Sequence, residues 1–119
     1  MVRRKSPRAS RDRTRAAHRE LAEAAKAIIP RSFAQPLSLA RLASRLRTSP
    51  YHLARVFRAE TGFTVDGYQR SLRVRTALER LPSYPEGLTT LALELGFSSH
   101  SHFTETFRRE FGVSPSSLR

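Results

Sequence analysis

Between Gly96 and Arg119 the chain reads GFSSHSHFTETFRREFGVSPSSLR, and Phe103, Phe107 and Phe111 recur there every four residues. On a helix these rings form one apolar stripe, and Gly96 and Gly112 bracket it. At about 100° per residue, Ser101, Glu105 and Arg108 project away from that stripe. A helix packed by its phenylalanines therefore turns hydrogen-bonding groups outward.

The same plan occurs earlier. Leu42, Ala43 and Leu46 fall on Leu91, Ala92 and Leu95 at an offset of 49, and Leu53, Phe57, Arg58, Glu60 and Gly62 fall on Phe103, Phe107, Arg108, Glu110 and Gly112 at an offset of 50. The second copy has a connection longer by one residue. Each copy is a short apolar helix, a turn and a second helix with one buried stripe and a glycine stop, the plan of a helix-turn-helix.

Ser38 is placed to cap a helix carrying Leu39, Leu42, Ala43 and Leu46. Ser49 followed by Pro50 starts another, with Leu53, Val56 and Phe57 inward and Tyr51, Arg55 and Arg58 outward. The first helix-turn-helix is thus assigned to residues 38–62 and the second to 88–112. Between them a linker helix is expected over 64–81, ended by Pro82 and Pro85. Its apolar pattern changes phase: Val65, Tyr68 and Leu72 cluster on one side, and Val74, Ala77, Leu78 and Leu81 nearly opposite. Two clients explain this, one per half of the helix, and would fix the separation of the two motifs. Ahead of them, Leu21, Ala25 and Ile28 mark a helix that Pro30 should end.

Charge adds a partner to this scheme. The 119 residues carry a formal charge of +12, and 20 of the 22 basic residues are arginine, whose guanidinium suits bidentate contact with phosphate and guanine. Residues 1–19 hold eight basic residues and one Asp. So dense a run, with almost nothing apolar, reads as an arm over 1–18 that starts disordered and becomes helical near Asp12 or Thr14. It is either a solubilising tail or an arm lying along phosphates or in a minor groove. The length leaves room for one modest core or two small ones, and not for a large catalytic domain.

Zero cysteines remove disulfides, thiol catalysis and thiolate metal sites. No run of about 18 apolar residues and no secretory signal is visible, so no membrane is expected and the location is taken as cytoplasmic. His100 and His102 point about 200° apart on a regular helix, and His18 lies far from the other histidines in sequence, so no metal site is assigned. The phenylalanine stripe reads as core, not as a stacking platform for bases. Arg70, Arg73, Arg75 and Arg80 read as a solvated face of the linker helix. No catalytic constellation or phosphate-cradling loop is found; the reading is non-enzymatic, without catalytic residues or cofactor.

The segment LALELGFSSHSHFTETFRREFGVSPSSLR closely resembles the signature of the AraC/XylS family of bacterial transcription regulators. It has the Gly-Phe after the short helix, the Phe-x-x-x-Phe-Arg-Arg core and the Gly-Val-Ser-Pro close. SLARLASRLRTSPYHLARVFRAETG is similar to the family's first repeat, and the resemblance runs from about Arg19 to the C-terminus, so 19–119 is assigned as the DNA-binding domain. It implies an all-α, homeodomain-like fold of about seven helices, in which both recognition helices enter successive major grooves. Entries one turn apart lie about 34 Å apart, so a monomer on double-stranded DNA can read an asymmetric site.

The family's base-contacting positions fall on Tyr51, Ala54 and Arg55 in the first recognition helix, and on His100, Ser101, His102, Thr104 and Glu105 in the second. Ser49, Arg58, Ser99 and Arg108 are assigned to phosphate. Arg55 suits guanine O6 and N7, a pairing worth about 1–3 kcal/mol of discrimination. Glu105 departs from the basic residue of well-known members; a carboxylate accepts from cytosine N4 and repels phosphate.

The expected function is a sequence-specific transcription regulator, an activator that recruits RNA polymerase, as the resemblance implies. The main alternative is a low-specificity DNA-coating protein, supported by the arginine arm and Glu105. A protein-interaction module is a third reading, and the charge argues against it. Family members typically carry an additional effector or dimerisation domain, so a stand-alone regulator and an excised C-terminal half both fit.

Overall fold

The computed structural model describes residues 7–32, 37–83 and 87–118. Among these there are six α-helices and no strand: α1 Pro7–Ser32, α2 Leu39–Arg45, α3 Pro50–Thr61, α4 Val65–Arg80, α5 Leu88–Glu94 and α6 His100–Phe111. Short 3-10 helices follow α4 at Leu81–Ser83 and α6 at Pro115–Leu118. The all-α expectation and the approximate helix count hold. The chain divides into two units, Met1–Ile28 with Ser38–Val65, and Ile29–Leu37 with Asp66–Arg119.

The caps explain where the helices of each motif begin and end. Ser38 accepts from the Arg41 amide at 3.2 Å, and Ser49 and Ser99 accept at 3.1 Å from the amides of His52 and His102. Each satisfies one of the four amide donors that a helix N-terminus leaves without a partner. Gly62 and Gly112 close α3 and α6 in the left-handed region, at φ of 79° and 78°, their amides bonded to the Arg58 and Arg108 carbonyls. A side chain is disfavoured at that φ, which is why both helices stop at glycine.

In the first unit, α2 packs on α3, with Leu42, Ala43, Leu53, Val56 and Phe57 buried. In the second, Val74, Ala77 and Leu81 join Leu91, Ala92, Leu95, Phe97, Phe103 and Phe107 in one core, against which Leu88 and Phe111 pack. The rings run in a chain, with centroids 5.3 Å apart for Phe97–Phe103, 5.8 Å for Phe103–Phe107 and 4.7 Å for Phe107–Phe111. Truncating either fully buried phenylalanine of α6 should cost about 3–5 kcal/mol, a large share of a small domain's stability. The second half of the linker helix thus serves the second helix-turn-helix, as its pattern implied.

Several expectations need correcting. Helix α1 starts at Pro7, ahead of Asp12, because proline suits the first helical position; the disorder expected for residues 1–6 lies outside the described residues, as does the stop expected at Pro85. Pro30 does not end α1, which runs two residues on; the missing hydrogen bond falls in the last turn. Its buried face is Ala22, Ala25 and Ile29, with Leu21 and Ile28 only half-buried. Leu78 is 38% exposed, outside the core that holds Val74 and Ala77.

The arginines of α4 are not one solvated face. Arg73 is only 8% exposed, with its guanidinium carbon 5.9 Å from the Phe97 ring centroid. Burial pushes its pKa down from the usual arginine range, and Asp66 opposes that shift. The methylene stem is what lets a charged residue sit here. Arg70 pairs with Asp66, and Arg75 with Glu110 at 3.4 Å. Glu110 also accepts from the hydroxyl of buried Ser71 at 3.0 Å, so one carboxylate on α6 receives two donors from α4.

Candidate nucleic-acid interface

With the Leu53–Val56–Phe57 face buried, α3 must turn its other side outward, and the chemistry gathers there. Tyr51 is 72% exposed, and the Arg55 guanidinium carbon lies 5.7 Å from its ring centroid. An arginine resting on an aromatic face loses less freedom on meeting a partner, because its fork is already partly held. Ala54, between them, is half-buried. Arg58 donates to the Gly62 carbonyl at 2.7 Å, so the group assigned to phosphate also fastens the end of its own helix. Beside Arg55, His18 of α1 meets His52 edge to face at 5.6 Å, and the two line a shallow cleft of about 160 Å³ with Arg55, Val56 and Ala59. The distance of His18 in sequence concealed this contact.

On α6 the outward residues His100, Ser101, Thr104, Glu105 and Arg108 line one shallow depression of about 310 Å³. Five of the residues singled out from sequence are thereby brought together. Glu105 is 72% exposed and pairs with Arg109 at 3.4 Å. The Thr104 hydroxyl is buried without a hydrogen-bond partner, so that oxygen is not among the groups exposed at the depression. His102 is half-buried and stands apart from that group: its ring meets Phe97 edge-on at 5.3 Å, and Nδ1 shares a 3.4 Å hydrogen bond with the Ser98 hydroxyl. Ser99 is exposed at the helix start, its oxygen occupied by the His102 amide and its hydroxyl proton still able to donate.

Sequence reasoning passed over Arg109, whose spacing of four from Glu105 was the available signal, and over His18. Neither α3 nor α6 has an acidic residue in its first turn, so the positive ends of both helix dipoles are uncompensated and favour an anion. Among the described residues no three His, Asp or Glu side chains converge as a metal site would need, and no helix is long and apolar enough to cross a membrane. What the two faces offer is arginine forks, hydroxyls, a carboxylate and an exposed ring, the donors and acceptors that read base edges and phosphates.

A family model described as a helix-turn-helix domain matches residues 42–119, most of the chain. The chain belongs to the AraC family of helix-turn-helix transcription regulators. This AraC-family chain is 36% identical over 84 residues to the multiple antibiotic resistance protein MarA of Escherichia coli, covering 71% of this chain and 66% of MarA. It is 40% identical over 87 residues to the regulator GlxA of Rhizobium meliloti, covering 71% of this chain and 26% of GlxA. It therefore spans just under two thirds of MarA and about a quarter of GlxA. Among solved structures, an AraC-type regulator from Chromobacterium violaceum superposes with a TM-score of 0.79 at 27% identity, covering 87% of this chain and 93% of that one. The DNA-binding domain of AdpA, solved with a target DNA, gives 0.70 at 27% identity, covering 82% and 86%.

Proposed function

We propose that this protein binds double-stranded DNA in a sequence-specific way, placing α3 and α6 in successive major grooves, and regulates transcription from that site. The observation that carries the reading is the matched pair of helices, each capped by serine, closed by glycine, packed by an apolar stripe and exposed on a face of base-reading groups. The likeness to a DNA-binding domain solved on its target supports it. Arg55, with Tyr51 beneath it and Ala54 alongside, reads the first half-site, and guanine is its natural partner. His100, Ser101, Thr104 and Glu105 stand at the second, with His102 turned against Phe97 instead, while Ser49, Arg58, Ser99 and Arg108 hold phosphates. The DNA-binding domain extends over 19–119. Two heads on one chain make a monomer sufficient for an asymmetric site.

Activation through contact with RNA polymerase is the regulatory role we assign. Its support is the 36% identity over 87 residues to RhaS of Escherichia fergusonii, which is named a transcriptional activator and of which this chain spans 31%. A second reading, low-specificity coating of DNA, draws on the exposed Arg8, Arg11, Arg13 and Arg15 of α1 and on the carboxylate of α6. Substituting Arg55→Ala separates the two. Binding of a preferred duplex should weaken about 5- to 150-fold against random duplex, the equivalent of one bidentate arginine–guanine pair. Equal weakening on preferred and random duplex would assign Arg55 to phosphate and favour coating.

A further inference from the structure

The two recognition helices coincide at an offset of 50, which sets Tyr51 against Ser101, Ala54 against Thr104, Arg58 against Arg108 and, with opposite charge, Arg55 against Glu105. The geometry points to Glu105 as the residue that selects cytosine in the second half-site, so that the two heads read opposite partners of a G·C pair. This rests on the sequence-specific reading above and names the base that its second head takes.

A carboxylate only accepts hydrogen bonds. In the major groove guanine shows two acceptors, N7 and O6, and thymine shows O4 and a methyl group, so neither offers Glu105 a donor. Adenine offers N6–H beside the acceptor N7, which repels a carboxylate. Cytosine offers N4–H.

The surroundings of Glu105 suit that role. It stands out from the helix at 72% exposure and borders the depression with Ser101, Thr104 and Arg108. Arg109 approaches Oε1 at 3.4 Å, and both side chains are largely exposed. Such an i, i+4 pair holds the carboxylate weakly, and it is easily exchanged for a base donor. Arg108 and Arg109, exposed on α6 three and four residues beyond Glu105, also place positive charge near it, which offsets the repulsion a lone glutamate would meet from phosphate.

The test is selection from a randomised duplex library with the full 119-residue chain at about 150 mM salt, comparing wild type, Glu105→Gln and Glu105→Ala. Wild type should enrich cytosine at one column of the second half-site, about 5- to 150-fold over other bases. Glu105→Gln should move that column to adenine, since an amide both donates to N7 and accepts from N6–H. Glu105→Ala should flatten that column alone, leaving the half-site read by Arg55 intact in all three. Unchanged columns in Glu105→Gln overturn the inference, as does a second half-site that emerges only once the carboxylate is removed. If no protein enriches even the first half-site, the sequence-specific reading fails and takes the inference with it. Unchanged helical circular dichroism in the variants excludes unfolding as the cause of any outcome.

Discussion

Replacing Ser49 or Ser99 separates what these residues do for the helix from what they do for DNA. Each hydroxyl oxygen accepts from a helix amide at 3.1 Å, so alanine removes the cap and should cost about 1 kcal/mol, or roughly 4–8 °C for a unit of this size. Aspartate keeps the cap. It also adds a negative charge to a first turn that has no acidic residue, a gain of about 0.3–1 kcal/mol. Stability should therefore rank aspartate at or above serine, and alanine below both.

On DNA the order changes. The serine hydroxyl has a proton left to give a phosphate, alanine has none, and a carboxylate in that place repels. Binding should rank serine, then alanine, then aspartate, with at least a tenfold loss for aspartate, since about 1.5–3 kcal/mol of charge-assisted bonding goes. Thermal unfolding by circular dichroism and fluorescence-anisotropy titration of one duplex give the two rankings. If stability and DNA affinity follow the same order across the variants, the assignment of these serines to phosphate is wrong.

Glu110→Ala should destabilise the second unit by about 1–3 kcal/mol in chemical denaturation, because it leaves the hydroxyl of buried Ser71 without its acceptor, while Glu110→Gln, which keeps one, should cost less. Arg47 holds a left-handed φ of 56° in the turn where the second copy has Gly96; Arg47→Gly should leave stability unchanged or raise it by up to about 1 kcal/mol, because it relieves that φ, whereas Gly112→Ala should lose about 1 kcal/mol or more in the same assay. Removing the exposed Arg8, Arg11 and Arg15 together should weaken binding to all duplexes alike and reduce the logarithmic salt slope by up to about 0.9 for each phosphate these arginines neutralise, measured by titration across salt concentrations.

The parts of this fold written in short-range pattern were readable from residues alone. Ser49–Pro50 and Gly62 bound α3, Gly112 closes α6, and the Phe103–Phe107 stripe sets its buried side, because caps and period act within a few residues; the Ser99 cap of α6 is a finding of the structure. On α1 the pattern places Ala25 inward, as observed, but Leu21 and Ile28 each lie one residue from the buried Ala22 and Ile29, since Ala22, Ala24, Ala25 and Ala27 give alanine on several faces and the signal rests on too few large side chains. Ser6–Pro7 repeats the dipeptide that opens α3, yet the arginines around it suggested disorder instead. The rest was out of reach for a different reason. Arg73 over Phe97, Ser71 on Glu110 and His18 on His52 join residues 24 to 39 positions apart, and nothing local marks which arginine or histidine will be the one enclosed.

On the proposed function, one chain reads two half-sites. Selection by the wild-type protein from random duplex at about 150 mM salt addresses it directly, since non-specific phosphate binding is already weakened there. The expected result is an asymmetric two-part motif whose halves lie about one helical turn, 10–10.5 base pairs, apart. A pool that stays random after repeated rounds would contradict it and leave a protein that coats DNA.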